Sequence, residues 1–456
     1  MNLQNKRVLV IGSGISGIGA VKLLDSFNAR PILFDSNNQL NPKDVLAKVK
    51  SETGSEPDIY IGDIPQEVKS QIELVVPSPG VPCDIGLVAE YRSRNIPVWG
   101  EVELAYAASK GKLAAITGTN GKTTTTSLVG EILKEQYNDV HVVGNIGTPY
   151  TEEALKMTDE TVTVAEVSSF QLETVENFHP KVSAILNVTP DHLNRHHTME
   201  NYAMAKEAVA MNQTKEDVCV LNYENEYTKE FGTRCGAKVV YFSSKTELTE
   251  GFFLRGDYIC MAENGVVTEV LNIHTDMNLV GICNVENVMA AIAVGLGMGV
   301  PMNKILKAVK AFKAVEHRIE YVATKSGVDY YNDSKGTNPD AAIQGIKAMS
   351  KPTILIGGGY DKQNEYDEWI EAFDDKVKLL VLIGQTREKI AQCASKHGFL
   401  KYVFAETFEE AMDICVKNAR EGDAVLLSPA CASWGMFPNY EVRGQMFKDY
   451  VNNLKE

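Results

Sequence analysis

The stretch LAAITGTNGKTTTTSLVGEILKE, residues 113–135, decides the fold class of this chain. A short apolar run ends in a glycine-containing loop, and the loop passes directly into a helical pattern. Glycines in such a loop expose consecutive amides to phosphate oxygens, Lys122 can reach the β- and γ-phosphates, and a threonine hydroxyl can ligate Mg²⁺. Ile116 stands where the full motif has its first glycine. A flexible glycine turn is the alternative, but it leaves the adjacent Lys122 and Thr123 unexplained, so the order predicts an ATP-binding P-loop.

The same order of strand, glycine and helix recurs on both sides of this stretch, in VLVIGSG (8–14) and in TILIGGG (353–359), which is followed by VKLLVLIGQT (377–386). Alternating strands and helices are typical of α/β domains built on largely parallel sheets. The apolar run NIPVW (95–99) is expected to be a short strand that closes the first block, and the amphipathic helix 302–313 closes the second. The predicted α/β domains are 1–100, 101–314 and 315–456.

Length and composition agree with several folded domains. The chain has 456 residues, of which 44% are hydrophobic, and a formal net charge of −15. Such a length exceeds one hydrophobic core, and this apolar content excludes a mainly disordered protein. The acidic balance argues against a nucleic-acid partner, which requires clustered Lys and Arg.

Nothing in the sequence indicates membrane insertion or export. No apolar run reaches the ~18 residues that span a bilayer, and the N-terminus enters a strand pattern without a signal-peptide apolar region. The eight cysteines are scattered without a CxxC pair, so free thiols are expected. We expect a cytoplasmic protein.

The first glycine loop, Gly12 to Gly17, follows a strand, opens a helix and has Asp35 at the end of the next strand. Backbone amides at such a helix N-terminus approach a pyrophosphate, and the acid takes ribose hydroxyls. From the residues alone, NAD, another nucleotide diphosphate and a purely structural turn all stay open.

Acidic residues that support a P-loop follow two neighbouring apolar strands. Glu166 ends TVTVAE, and Asp191 and His192 follow VSAILNVTP. A solvated strand-end carboxylate at Glu166 and a helix N-cap at Asp191 are the alternatives. The histidines 192, 196 and 197 also suggest zinc, but Mg²⁺ is the usual partner of ATP, and no cysteine lies near them.

Taken together, these motifs resemble the ATP-dependent Mur ligases of peptidoglycan precursor synthesis over nearly the whole chain. Besides GTNGKT, the resemblance is carried by ExSSFQLE (166–173), NVTPDHLNRH (187–196), YAMAK (202–206), GICNVENVMAA (281–291), EHRIE (316–320), NDSKGTNPDA (332–341) and SPACASW (428–434). DSKGTN and SPACASW are similar to the members that add D-glutamate.

The resemblance implies that the first domain is Rossmann-like and binds the UDP of UDP-N-acetylmuramoyl-L-alanine, so NAD is set aside. The implied contacts are Ile15, Ser16, Gly17, Asp35, Ser78, Gly80, Asn145 and His192. The central domain is implied to be a P-loop ATPase-type domain, and the last a Rossmann-like domain for the amino acid.

For ATP, the resemblance implies contacts from the P-loop and from the C-terminal half. They are Gly118, Thr119, Asn120, Gly121, Lys122, Thr123, Thr124, Asn284, Asn287, Arg318, Asp333 and Lys335. Two Mg²⁺ sites are implied, held by Thr123, Glu166, His192 and a carbamylated Lys206. Arg318 is implied to reach the γ-phosphate when the third domain closes. Cys283 stands where relatives commonly have histidine.

The implied D-glutamate pocket consists of Thr337, Lys362, Ser433 and Tyr440, since a dicarboxylate requires cationic and hydroxyl donors. Tyr440 replaces a phenylalanine of some relatives, and Gly435 replaces a frequent aspartate. The implied reaction is amide formation through an acyl phosphate, with Lys122, Glu166, His192, Lys206 and Arg318 as catalytic residues in a monomer. A dehydrogenase, a folylpolyglutamate synthetase and a nucleotide-sensing scaffold are the rival readings.

Overall fold

The computed structural model describes residues 3–84 and 86–454. The chain folds into two compact units, each assembled from more than one segment. The first unit consists of Met1–Arg255, Cys260–Glu269 and Met289–Ala308, and the second of Gly256–Ile259, Val270–Val288 and Val309–Glu456.

The N-terminal part of the first unit is a four-stranded parallel sheet in the order β3-β2-β1-β4. Its elements are β1 (Arg7–Ile11), α1 (Ile15–Ser26), β2 (Arg30–Asp35), α2 (Pro42–Thr53), β3 (Asp58–Ile61), α3 (Gln66–Lys69), β4 (Leu74–Pro77), α4 (Gly86–Ser93) and α5 (Glu101–Ala108). Strands β1, β2 and β4 are buried on both faces, as expected for a parallel sheet covered by helices, whereas β3 is only half-buried.

The expected strand NIPVW is not formed. Val98 makes only an isolated bridge to Val75. The physical reason is that Pro97 has no N–H to donate, so pairing is limited to the hydrogen bonds that flank this bridge, Val75 N to Pro97 O and Trp99 N to Val75 O.

The central sheet has nine strands in the order β13-β12-β11-β10-β9-β8-β5-β7-β6. Its elements are β5 (Lys112–Thr117), α6 (Lys122–Lys134), β6 (Val140–Gly144), α7 (Tyr150–Glu153), β7 (Val162–Glu166), α8 (Ser169–Leu172), β8 (Val182–Ile185), α9 (Leu193–His196), α10 (Met199–Glu207), β9 (Val218–Asn222), α11 (Glu226–Gly232), β10 (Lys238–Ser243), β11 (Gly251–Arg255), β12 (Tyr258–Glu263), β13 (Val266–Asn272), α12 (Ile282–Gly297) and α13 (Met302–Ala311). Strand β5 pairs in parallel with β7 and β8, so the P-loop and the ends of both neighbours lie at one edge.

Strands β11 to β13 were not among the predicted elements, although the sequence contains a signal for them. Asn264 and Gly265 both have positive φ, 52° and 77°, between β12 and β13. An Asn-Gly pair with this backbone is the turn preferred by two-residue hairpins.

The last sheet has six strands in the order β14-β15-β19-β16-β17-β18. Its elements are β14 (Glu320–Lys325), β15 (Val328–Asn332), α14 (Pro339–Ala348), β16 (Thr353–Gly358), α15 (Asp367–Glu371), β17 (Val377–Ile383), α16 (Arg387–Lys396), β18 (Tyr402–Phe404), α17 (Phe408–Asn418), β19 (Ala424–Leu427) and α18 (Tyr440–Asn453). Only β14 is antiparallel to its partner among the paired strands of this sheet that the structure describes. Strand ends of β15 and β19 therefore bring the DSKGTN and SPACASW loops to one edge.

Candidate active site

The glycine loop of the N-terminal sheet approaches its neighbours so closely that side chains do not fit. A Cβ built on Gly17 would lie 1.8 Å from the carbonyl oxygen of Gly12, and Gly12 itself has φ +103°. Helix α1 therefore starts directly above β1, and its N-cap, Gly14, supplies no side-chain hydrogen bond. The open amides and the helix dipole favour an anion at this point.

Asp35 fixes this loop. Its Oδ2 accepts hydrogen bonds from the backbone N–H (2.9 Å) and hydroxyl (2.6 Å) of Ser13, and its Oδ1 accepts one from Asn37 N–H. Burial raises the pKa of Asp35, but these hydrogen bonds outweigh it and bring the net pKa below the ordinary value. Asp35 is therefore ionised, and its carboxylate holds the first glycine loop in place through these hydrogen bonds.

The other residues predicted for the UDP substrate lie around the same loop or on the central sheet. The hydroxyl oxygen of Ser78 is buried without a hydrogen-bond partner beside Gly12, and Ile15 is 68% exposed at the start of α1. Ser16 donates to the buried carboxylate of Glu101, whose pKa burial raises. An unpaired buried hydroxyl is costly, so Ser78 marks a place where a ligand atom would gain a hydrogen bond.

The P-loop joins β5 to α6, and its lysine folds back on it. Nζ of Lys122 donates to the carbonyl oxygens of Gly118 (2.8 Å) and Thr119 (2.9 Å). Gly121 has φ +85° at the N-cap of α6, a conformation that glycine adopts without strain. Thr123 and Thr124 lie in the first turn of this helix and are buried.

Asn187, which belongs to a quoted motif but was not among the predicted site residues, holds the loop from the neighbouring strand end. Its side chain accepts from Asn120 N–H (2.8 Å) and donates to Asn120 O (3.1 Å). Thr119 is held in the same way, since its N–H donates to Asn187 O and its hydroxyl contacts Thr189 and Tyr202. The sequence signal that could have indicated Asn187 is the position of NVTPD directly after the apolar run of β8, the strand that pairs with β5.

Lys206 lies on α10 with its amine against the P-loop. Its side chain is 1% exposed, and its Nζ donates to the Gly118 carbonyl at 2.8 Å, the oxygen that Lys122 also contacts. Burial, and then the charge of Lys122, lowers the pKa of Lys206 well below its usual range, although Asp191 acts in the opposite direction. Lys122 and Lys206 therefore share one acceptor oxygen, and the protonated form of Lys206 is disfavoured there.

Glu166 ends β7 with one oxygen satisfied and one not. Its Oε1 accepts from the side-chain amide of Asn145 at 2.9 Å, whereas its Oε2 is buried and has no hydrogen-bond partner. A buried, unpaired carboxylate oxygen is expensive unless a cation compensates it. This oxygen fits a hard divalent cation such as Mg²⁺.

The three histidines predicted near this edge point to different partners. His192 has φ 54° and is half exposed, with its Nε2 3.5 Å from Asp191. His196 is buried against Ser169, and His197 pairs with Asp84. Their separate partners give no support to a zinc cluster of the three.

In the second unit, Asp333 is fully buried at the end of β15. Its Oδ2 accepts from the hydroxyl of Ser428 at 2.7 Å, its Oδ1 accepts from Ile319 N–H at 3.2 Å, and the Arg318 guanidinium lies 3.9 Å away. Burial raises the pKa of Asp333 to about 6, and Arg318 and the hydrogen bonds only partly oppose this. Arg318 sits between His317 and Ile319, which both have positive φ.

Arg443, which was not predicted from the sequence, ties the DSKGTN loop to the SPACASW loop. It is fully buried and donates to the Ser334 hydroxyl (3.0 Å), the Ser334 carbonyl (2.8 Å) and the Cys431 carbonyl (3.2 Å). Burial lowers its pKa to about 10. Arg443 is the fourth residue of α18, and no sequence pattern around it indicates this role.

The residues predicted for D-glutamate lie on loops of this sheet or, in the case of Tyr440, in the first turn of α18. Tyr440 begins α18, and its ring lies 5.7 Å from Nζ of Lys335. Nζ of Lys362 lies 5.2 Å from the ring of Trp434, next to the buried Ser433. Thr337 follows Gly336 in the turn closed by Gly336 N–H and Asp333 O.

The residues predicted for adenine lie at the start of α12. Asn284 donates to Val280 O and accepts from Asn287, and both asparagines are buried. Burial raises the pKa of the neighbouring Cys283 thiol to about 12, so this thiol is neutral.

The chain combines three α/β parts, and the central one carries a P-loop beside the buried carboxylate of Glu166, an arrangement typical of nucleotide-using enzymes. Comparison with known proteins identifies the family. The models described as "Mur ligase MurD-like, N-terminal domain", "Mur ligase middle domain" and "Mur ligase, glutamate ligase domain" match residues 6–100, 116–295 and 317–431. The chain belongs to the Mur ligase family, and its α/β fold with three such domains is confirmed.

Curated relatives match over their full lengths. Proteins named UDP-N-acetylmuramoylalanine--D-glutamate ligase are 58% identical in Lachnospira eligens, 54% in Lachnoclostridium phytofermentans and 44% in Clostridioides difficile, covering 100% of this chain and of each relative. Among solved structures, the UDP-N-acetylmuramate-alanine ligase MurC of Thermotoga maritima has a TM-score of 0.59 at 19% identity over 99% of this chain and 100% of that one. A pseudomurein peptide ligase type C of Methanothermus fervidus has a TM-score of 0.57 at 17% identity over 98% of this chain and 100% of that one. These structural likenesses concern the fold.

Within residues 3–84 and 86–454, no helix combines the length and the apolar character required to cross a membrane.

Proposed function

We propose that this Mur ligase adds D-glutamate to UDP-N-acetylmuramoyl-L-alanine at the expense of ATP, in peptidoglycan precursor synthesis. The observation that carries the proposal is the 58% identity, over the whole of both chains, to a curated D-glutamate ligase. The P-loop geometry supports the ATP dependence, because the amine of Lys122 lies on the glycine loop at the N-terminus of α6, where phosphate oxygens are favoured.

The chemistry requires activation, because oxide is a poor leaving group for amide formation. The terminal carboxylate of the substrate attacks the γ-phosphorus, the bond to the β–γ bridging oxygen breaks, and ADP leaves with that electron pair. The amine of D-glutamate then attacks the acyl carbon of the resulting acyl phosphate, loses a proton and expels inorganic phosphate. Like charges meet in the first step, so the fixed cations of Lys122 and Arg318 are proposed to stabilise it. The group that accepts the amine proton is unassigned.

Thr123 and Glu166 are the residues proposed to hold Mg²⁺, which when bound would neutralise charge on the phosphate oxygens. The unpaired Oε2 of Glu166 is the observation that supports this assignment. A second site at His192 would include Lys206 only as its carbamate, since an amine that donates to Gly118 O cannot simultaneously be an anionic ligand. Carbamate formation joins the neutral amine to CO₂ and releases a proton.

The first glycine loop is proposed to hold the UDP diphosphate, with Ser78 supplying its unpaired hydroxyl. Its close packing at Gly17 leaves the amides of the α1 N-terminus open. The predicted contacts of Gly80 and Asn145 with the UDP substrate are also part of this proposal.

Thr337, Lys362, Ser433 and Tyr440 are proposed to pair the two carboxylates of D-glutamate. Lys362 supplies a cation held near Trp434, and the other residues supply hydroxyls. The predicted domain bounds, the monomeric state and the cytoplasmic location stay predictions.

Phosphate release tests the activity. We expect release with UDP-N-acetylmuramoyl-L-alanine, ATP and D-glutamate, and little with L-glutamate, D-aspartate, L-lysine or meso-diaminopimelate. Selective release with another amino acid would overturn the substrate assignment.

A matched pair of glutamate variants tests the metal assignment. Glu166→Gln should abolish turnover and weaken Mn²⁺ binding measured by electron paramagnetic resonance, whereas Glu160→Gln, an exposed position just before β7, should change neither. Unchanged Mn²⁺ binding by Glu166→Gln would contradict the assignment.

A further inference from the structure

Four side chains with ligand atoms face each other on α15 and α16 of the second unit. Asp367 and Glu371 are four residues apart on α15, and Cys393 and His397 are four residues apart at the end of α16. Residues at i and i+4 share one face of a helix, so each helix presents a pair. Within residues 3–84 and 86–454, Asp367, Cys393 and His397 form the one group of at least three such side chains whose ligand atoms lie together, all within 4.8 Å of one another.

The contacts of this cluster centre on the Asp367 carboxylate. Its Oδ1 lies 2.8 Å from His397 Nε2 and 2.7 Å from Nζ of Lys396. The Lys396 side chain is 72% exposed and is free to turn into solvent when another cation takes its place.

We propose that Asp367, Cys393 and His397 form a zinc site, with a water molecule in the fourth position. A thiolate, an imidazole and a carboxylate are the ligand types that zinc prefers, and three protein ligands leave one position open. Tetrahedral zinc separates its ligand atoms by about 3.3–3.6 Å. Rotamer adjustments of these half-buried side chains would bring them from their present spacing to that range.

Glu371 supports the site from behind the histidine. Its Oε1 lies 3.5 Å from His397 Nδ1, on the side of the ring opposite Asp367. Metal-bound histidines generally donate their second ring N–H to a carboxylate, which fixes the tautomer and the ring orientation. With Nε2 on the metal, Nδ1–H is directed towards Glu371.

The helices that carry the ligands are held firmly by aromatic residues. Trp369 is fully buried between the two carboxylate positions of α15, and its ring lies 5.3 Å from that of Phe373. Phe373 in turn packs edge-to-face on Phe399, which follows α16, at 5.1 Å. The backbone positions of the ligands are therefore preformed.

The site would act as a clip between α15 and α16. Its ligands lie at the C-terminal end of α16, whereas the N-terminal end of that helix follows Thr386, which contacts Gly359 after β16. Cys393 and His397 therefore lie at the end of α16 remote from its contact with Gly359. A metal that binds only the folded chain stabilises it according to its concentration relative to its dissociation constant.

The test uses full-length protein stripped of metal and titrated with Co²⁺, whose thiolate complexes absorb in the near ultraviolet. We expect one equivalent of Co²⁺ to produce a thiolate charge-transfer band, Zn²⁺ to displace it, and Zn²⁺ to raise the unfolding temperature. Cys393→Ser and His397→Gln should abolish the band, and Glu371→Gln should weaken binding by about 10–100-fold.

Two matched controls separate this site from other thiols and surface ion pairs. Cys235→Ser removes another half-buried thiol, and His274→Gln removes a histidine that pairs with Asp257. Both should retain the band. Circular dichroism of each metal-free variant establishes that it is folded. Absence of the band in the folded parent protein, or its persistence in Cys393→Ser, would overturn the proposal.

Discussion

Replacement of Arg443 by methionine tests whether one buried guanidinium organises the DSKGTN and SPACASW loops, which are proposed to bind D-glutamate. The side chain makes three hydrogen bonds to Ser334 and Cys431. Hydrogen bonds from a charged donor contribute about 1.5–3 kcal/mol each, so their loss costs about 5–9 kcal/mol. The substitution also removes the free-energy cost of burying a charged guanidinium. The fall of the Arg443 pKa from 12.5 to about 10 corresponds to a cost of about 3 kcal/mol.

The net destabilisation of the second unit is therefore about 2–6 kcal/mol, since the relief offsets only part of the lost hydrogen bonding. Both loops should loosen, so Arg443→Met should raise the KM for D-glutamate and leave binding of the UDP substrate unchanged. Hydrogen exchange of the peptides covering 332–338 and 428–434 should accelerate in parallel. Arg420→Met, at an exposed arginine, serves as the matched control.

Arg443→Lys adds a conservative comparison, because it keeps a cation but cannot span both loops with a planar fork. We expect it to restore part of the protection from exchange. Unaltered exchange at both segments in Arg443→Met, together with a parental KM for D-glutamate, would refute the reasoning.

Two further predictions concern the other substrate loop and pH. Gly17→Ala should weaken binding of the UDP substrate by at least tenfold in calorimetry, because its Cβ would lie 1.8 Å from Gly12 O and the loop would have to shift; unchanged affinity in the folded variant would contradict this. Asp333 has a folded-state pKa raised from 3.8 to about 6, so its contribution to stability is complete below pH 3.8 and is lost as the pH rises through about 6. The change is on the order of 3 kcal/mol, and chemical denaturation between these pH values should show it in the parent protein but not in Asp333→Asn.

Much of the fold could be predicted because local patterns and tertiary structure agree. The apolar strand before Gly118 and the helix after Lys122 lie where the sequence placed them, since burial on both faces of a parallel strand leaves a continuous apolar run. The run NIPVW was misleading because its apolar side chains are compatible with a strand, whereas the missing N–H of Pro97 prevents a full ladder.

Site residues that act through other residues were harder to predict. Motifs record which residue types occur at a position, and the strand-end pattern indicated Glu166 as a candidate, whereas Lys206 was a candidate only through the family resemblance. They do not record which side chain crosses from a distant element, so Arg443, more than 100 positions after Ser334, was invisible. Asn187 was quoted only as part of a motif, because its clamp on Asn120 depends on the pairing of β5 with β8.

The side-chain amide of Asn187 pairs with the backbone of Asn120 as a neighbouring strand would, because it accepts from the Asn120 N–H and donates to the Asn120 carbonyl. Hydrolysis of the Asn187 side-chain amide to a carboxylate is a slow ageing reaction of asparagine. It would replace the N–H donor of this side chain by a negative charge beside the P-loop. Stored preparations would then lose nucleotide affinity while their overall folded content stayed the same. A gain of one mass unit at this position would reveal the lesion before any loss of solubility.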